Sequence, residues 1–205
     1  MYRLSPSKLN LLEECPRCFW LATVKRIERP SGPMASIVMK MDSILKSYFD
    51  RYRGKDQLPP IIKEKVGAKL AKNMPKTLYH KENDEITVMG RPDDYLELDE
   101  GNVVAFDHKT RSRAPDKTHP AHQLQLDVYS YLLQANGYKT TNKGYLAYYY
   151  PCDCDVHNGL DIHCKVTEIQ TSPVRAKALL KKAEAILKGG IPEAGKECEF
   201  CRWNK

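Results

Sequence analysis

The stretch "NVVAFDHKT", residues 102–110, constrains this chain more than any other. Side chains alternate across a strand, so Val103, Ala105, Asp107 and Lys109 share one face and Val104, Phe106 and His108 the other. Both faces are apolar until Asp107, the pattern of an interior strand with a charged end at the mouth of a sheet. The preceding run, "DYLELD", leads into it through the turn signal "DEGN". Antiparallel pairing through that turn sets the start of one strand beside the end of the other. Asp93, just after Pro92, is therefore expected to meet Asp107.

The surrounding segments predict a mixed α/β domain. "SPSKLNLLEE" opens as a helix with Ser5 as N-cap and Pro6 in the first turn, and Pro16 of "CPRCFWL" interrupts it. "RPSGP" reads as a loop. A long amphipathic helix follows from residue 35 to Gly54, placing Val38, Asp42, Leu45 and Phe49 on one face. "PPIIKEKVGAKLAKN" is expected to be a further helix. "EITVMG", "DYLELD" and "NVVAFDHKT" form an antiparallel strand set. "HPAHQLQLDVYSYLLQANG" reads as a helix closed by Gly137, and "KGYLAYYY" and "LDIHCKVTEIQ" as two more strands. The basic helix "SPVRAKALLKKAEAILKGG" stops at a double glycine.

A chain of 205 residues with 41% hydrophobic and 29% charged residues suits a single folded domain, 1–205. No apolar run approaches the roughly 20 residues of a membrane span. The first residues lack a secretory pattern, so the cytoplasm is the expected location. The net charge of +7 fits a polyanionic partner.

Two carboxylates at close range repel unless a charge compensates them, and a divalent cation supplies that charge. Hard oxygen ligands select Mg²⁺ or Mn²⁺, which ease deprotonation of a bound water and neutralise a phosphate. Lys109 fits as the cation that offsets charge building on the transition state. Asp94 is the alternative to Asp93. The bland reading of Asp107 and Lys109 is a surface ion pair worth about 0–1 kcal/mol. A strand that needs no charge for its stability favours the site.

With Pro92-Asp93 and Asp107-His108-Lys109, the sequence resembles the PD-(D/E)XK nuclease superfamily, and most nearly its RecB-type and CRISPR-associated exonucleases. Gly90 and Asp93 of "GRPD" match that group's Gly-x-x-Asp strand. Gln125 and Tyr129 match its Gln-x-x-x-Tyr helix. The resemblance implies a restriction-endonuclease-like core, with a central mixed sheet flanked by helices and termini joined at a metal site. It implies catalytic roles for Asp93, Asp107, Lys109, Gln125 and Tyr129, and a metal-binding carbonyl at His108. It also implies DNA as the partner, single-stranded or end-bearing. The group takes a histidine ligand from an earlier helix, but here no histidine precedes His80, and Asp42 stands at the aligned place as the substitute ligand.

Cys15 and Cys18 in "CPRC", with Cys198 and Cys201 in "CEFC", put a Cys-x-x-Cys pair in residues 1–30 and another in 190–205. Four thiolates suit Zn²⁺ or an iron–sulfur cluster. The resemblance implies a [4Fe–4S] cluster, although that group divides its cysteines one and three where this chain divides them two and two. Cys152, Cys154, Cys164, His157 and His163 are not expected to form a second metal site. Arg91, Lys109, Arg111 and Arg113 flank the acidic pair as phosphate contacts that carry no sequence information.

Overall fold

In a computed structural model, the structure describes residues 1–203 except 31, 33 and 34, so the loop "RPSGP" falls partly outside the described residues. The elements are β1 (Tyr2–Leu4), α1 (Pro6–Glu14), α2 (Pro16–Trp20), α3 (Ser36–Asp50), β2 (Lys69–Leu70), β3 (Leu78–Lys81), β4 (Ile86–Gly90), β5 (Asp94–Glu97) and β6 (Val103–Thr110). They continue with α4 (Pro120–Ala135), β7 (Lys143–Pro151), β8 (Ile162–Gln170), α5 (Pro173–Lys188) and α6 (Glu199–Trp203).

Two mixed sheets result. The larger has the order β2-β5-β6-β7-β8, with β6 and β7 parallel and its other neighbours antiparallel. The smaller, β1-β4-β3, pairs β1 with β4 in parallel. The expected three-strand antiparallel set is thus divided. "EITVMG" belongs to the smaller sheet and only β5 and β6 pair as foreseen, because "RPD" carries the chain from one sheet to the other. The parallel β6–β7 pair is joined through α4, the crossover that parallel neighbours require.

Strand alternation on β6 decides what covers each face. Ala105 packs with Leu126, Tyr129, Leu146 and Tyr148, which places α4 over the Asp107 face. Val104 and Phe106 pack with Leu45 and Phe49 of α3 and with Leu58, Ile62, Val66 and Leu70. Ile62, Val66 and Leu70 lie on the segment expected as a helix, and Leu58 just before it. Its apolar residues keep a four-residue spacing, but the chain forms turns closed by Ile62 N–H to Pro59 O and Lys65 N–H to Ile62 O. Consecutive prolines at its head and Gly67 within it disfavour a continuous α-helix.

Helix ends follow the sequence signals. Ser5 accepts from the Lys8 amide and Ser172 from the Arg175 amide, each with a proline behind it. Gly54 and Gly137, just beyond α3 and α4, take left-handed φ of 73° and 79°. Buried Asp127 on α4 accepts both Arg175 Nε at 2.8 Å and the Ser172 amide at 2.7 Å, which locks α4 to the start of α5.

Gly90 ends β4 where α4 crosses it. A Cβ there would stand 2.6 Å from Leu132 Cδ1 and 2.9 Å from Tyr129 Cδ1, so glycine is what lets the helix lie this close. Gly90→Ala is expected to destabilise the fold by about 1–3 kcal/mol through overpacking. A denaturant midpoint equal to that of the unsubstituted chain contradicts this packing account.

Candidate active site

The β5–β6 register pairs Asp94 with Phe106 and Tyr95 with Ala105, so Asp93, one residue before β5, lies alongside the Asp107-His108 end of β6. Asp93 Oδ2 accepts the His108 backbone N–H at 3.0 Å. Asp107, 2% exposed, points to the α4 side. Its Oδ1 accepts from Gln125 Nε2 at 3.1 Å. Its Oδ2 faces the Lys109 ammonium in an ion pair but lacks hydrogen-bond geometry, leaving a buried carboxylate oxygen without a hydrogen bond.

A closed set of contacts holds these groups. Lys109 Nζ donates to Gln125 Oε1 at 2.9 Å, Gln125 Nε2 also donates to Tyr129 Oη at 2.8 Å, and Tyr129 Oη donates to the Arg91 carbonyl at 3.0 Å. Tyr129 therefore ties α4 to the chain just ahead of Asp93. Burial pushes the Tyr129 hydroxyl above its ordinary range, and the neighbouring Asp107 and Asp93 charges push the same way. It stays protonated and able to donate.

The other face of β6 carries a second polar group. His108 Nε2 lies 3.2 Å from Asp94 Oδ2, its Nδ1 lies 3.1 Å from Tyr149 Oη, and its ring packs 4.4 Å from that of Phe49. Arg53, just after α3, ion-pairs with buried Asp94. Asp94 thus serves the His108 side of the strand, and Asp93 the Asp107 side. Alternation divides the two neighbouring acids.

Asp42, the substitute ligand expected from the sequence, is not among the contacts that hold Asp93 and Asp107. It is exposed on α3 and pairs with Lys46 at 2.6 Å, one helical turn away. Among the described residues, the one group of three or more His, Cys, Asp or Glu side chains spaced for a metal is Cys15, Cys18, Cys198 and Cys201. The stripe proposed for α3 holds only for Leu45 and Phe49, since Val38 is 40% exposed and the first half of the helix meets little of the core.

Arg91, Arg111 and Arg113 are all exposed; Arg91 lines the cleft on Asp93, whereas Arg113 lines a separate hollow with Tyr150 and Cys152. A cleft of about 440 Å³ opens on Asp93 and is lined by Lys46, Arg53, Lys76, Arg91 and Pro92 among others. Lys46 and Arg53 lie seven residues apart on α3 and the turn after it, and Lys76 comes from a separate loop. His122 is a further neighbour. Its Nδ1 lies 3.3 Å from Tyr148 Oη, and burial, aided by Lys109 and Arg111, pushes its imidazole down to about 4. Its place on the Gln125–Tyr129 face of α4, three residues before Gln125, was the signal available.

With this geometry in view, the comparisons identify the lineage. The sequence model of the PD-(D/E)XK nuclease superfamily matches residues 37–205, and the chain belongs to that superfamily. Its coarse activity is that of a nuclease, a hydrolase acting on nucleic acid. Among solved structures, the crystal structure of SSO0001 is similar over 98% of this chain and 84% of that one, at 16% identity and a TM-score of 0.50. An alkaline exonuclease (LHK-Exo) from Laribacter hongkongensis is similar over 90% of this chain and 86% of its own, at 11% identity and a TM-score of 0.47. No curated protein matches the chain. No described helix is long and apolar enough to cross a membrane.

Burial pushes the Asp107 carboxyl up to about 6, with Asp93 acting in the same direction and Lys109 against it. A raised folded-state value means that the folded chain holds this proton more tightly than the unfolded chain. Stability at this residue is therefore greatest at low pH and falls as pH rises from the ordinary value of 3.8 through about 6. In metal-free protein, Asp107→Asn is expected to remove that part of the pH dependence in urea titrations. An unchanged profile contradicts the burial assigned to Asp107.

Proposed function

We propose that this chain is a Mg²⁺- or Mn²⁺-dependent deoxyribonuclease. In this reading it hydrolyses phosphodiester bonds of single-stranded or end-bearing DNA, as an exonuclease or end-processing enzyme in cytoplasmic repair, recombination or CRISPR-type defence. The observation that carries it is the buried Asp107 carboxylate, ion-paired with Lys109 and close enough to Asp93 for the two charges to repel. Two neighbouring carboxylates with a single ammonium beside them leave an excess of negative charge that a dication offsets. Carboxylate oxygens are the donors that Mg²⁺ and Mn²⁺ take, so the residues fit the ion.

Asp93, Asp107 and the His108 carbonyl are the ligands in this reading. When bound, the ion supplies Lewis-acid polarisation of the phosphate and a more acidic water. The Lys109 ammonium offsets charge gathering on the phosphate oxygens. Gln125 holds Lys109 and Asp107 at fixed spacing, and Tyr129 fixes Gln125 against the Arg91 carbonyl. Arg91, Arg111 and Arg113 receive the flanking phosphates, which gives affinity without base reading.

Asp107→Asn and Lys109→Ala are each expected to lower Mn²⁺-supported cleavage of labelled single-stranded DNA by at least about 100-fold, with DNA binding retained. Cleavage that persists in both variants overturns the assignment. Wild-type protein that binds DNA and never cuts it favours a binding module of the same fold. Replacing Arg111 and Arg113 by Ala is expected to weaken DNA binding equally for unrelated sequences, and to flatten its salt dependence by roughly one unit of log–log slope per residue. A sequence-selective loss, measured by fluorescence anisotropy, contradicts the phosphate role.

A further inference from the structure

The four cysteines from the two ends of the chain converge under a lid of their own, away from the acidic pair. Cys15 Sγ stands 3.8 Å from Cys201 Sγ, and Cys18 Sγ stands 3.5 Å from Cys198 Sγ and 3.6 Å from Cys201 Sγ. All four sulfurs lie within 4.8 Å of one another. None forms a disulfide, whose sulfurs would be about 2.05 Å apart.

These separations discriminate between the two chemistries that four thiolates admit. Thiolates at about 2.3 Å from one tetrahedral Zn²⁺ define a tetrahedron whose edge is about 3.8 Å. A four-iron cubane gives each cysteine its own iron at a separate corner, so its thiolate sulfurs stand outside the cube and out of contact with each other. Three of the six sulfur pairs stand 3.5–3.8 Å apart and all lie within 4.8 Å, which is near the edge of the tetrahedron and too close for thiolates set outside a cube.

The surroundings are those of a closed structural site. Cys15, Cys18 and Cys198 are buried and Cys201 is half-buried, and four protein thiolates are the full ligand set of a tetrahedral structural ion. Cys15 Sγ accepts the Gly195 amide at 3.2 Å and the Cys18 amide at 3.5 Å. Arg29 brings a positive charge against the sulfurs. Its Nη2 donates to Cys198 Sγ at 3.5 Å, its Nη1 pairs with Glu14 at 2.5 Å, and its guanidinium lies 4.7 Å from the centre of the Phe200 ring. Four thiolates and one dication carry a net charge of −2, and the arginine and the two amides act on that excess. At Gly195 a Cβ would come 2.7 Å from the Glu14 carbonyl, so the glycine permits the C-terminal segment to close over Cys15.

We propose that Cys15, Cys18, Cys198 and Cys201 bind one Zn²⁺ as a tetrahedral tetrathiolate, a structural clasp between the α1–α2 corner and α6, and do not hold an iron–sulfur cluster. The clasp fixes α1, whose Leu9 and Leu12 pack in the same core as Val128 and Leu132 of α4. It thereby steadies the helix that carries Gln125 and Tyr129.

The full chain, purified anaerobically from iron-replete cells, is expected to contain one zinc and no iron or acid-labile sulfide, and to be colourless. Asp107→Asn is expected to leave that zinc in place, which separates this site from the acidic one and this proposal from the nuclease reading. Exchange with Co²⁺ is expected to give the intense visible bands of a tetrahedral tetrathiolate. Cys198→Ser is expected to lose the zinc. If it does not fold, the cobalt spectrum of the unsubstituted chain still decides. A brown protein with four irons and four sulfides per chain overturns the proposal, as do two disulfides with no metal, or a six-coordinate cobalt spectrum.

Discussion

The site depends on one constraint, the antiparallel register of β5 and β6. It is the pairing of Asp94 with Phe106 that sets Asp93 beside His108 and makes Asp107 its neighbour. A one-residue slip would turn Asp107 toward α3 and His108 toward α4, exchanging every side chain between the two faces. The register is held by burial on both sides. Phe106 and Val104 are sealed against α3, and Ala105 against α4. Polar chemistry therefore sits at the end of a strand whose place is fixed by apolar packing.

The same strand end carries two ionic groups on opposite faces. On the α3 face, Asp94 is satisfied by Arg53 and His108, and its loss of hydration is met by named partners. On the α4 face, Asp107 has one oxygen held by Gln125 and the other ion-paired with Lys109. Two adjacent residues, Asp93 and Asp94, serve opposite faces because a strand alternates. Gly90, Tyr129 and Gln125 work together for a steric reason as well. Removing one Cβ lets α4 come close enough for Tyr129 to reach the Arg91 carbonyl.

Much of this was legible in the sequence. "NVVAFDHKT" declared its two faces by alternation, the caps at Ser5, Ser172 and Gly137 declared helix ends, and Gln125 and Tyr129 shared a face by their four-residue spacing. Tertiary context governed what was not. Residues 59–73 keep helical spacing at Ile62, Val66 and Leu70, yet form turns followed by the short strand β2, with Gly67 interrupting any helix and β2 pairing with β5. The separation of β4 into its own sheet, and the short strands β1, β2 and β3, arise from pairings between distant segments that no local pattern encodes. The position of Asp42 also turned on context. Its helix periodicity holds at Leu45 and Phe49, whereas Asp42 is exposed and pairs with Lys46 one turn away. The cysteine pairs were visible as spacing. The convergence of their sulfurs is a property of the folded chain alone.

The most direct measurement is a calorimetric titration of Mn²⁺ into protein whose cysteine site is left undisturbed, comparing the unsubstituted chain with Asp93→Asn and Asp107→Asn. The account predicts saturable Mn²⁺ binding that is abolished by either substitution and weakens as pH falls below about 6, where Asp107 takes up its proton. Binding that survives both substitutions with unchanged affinity contradicts the claim that these two aspartates form the hard-cation site.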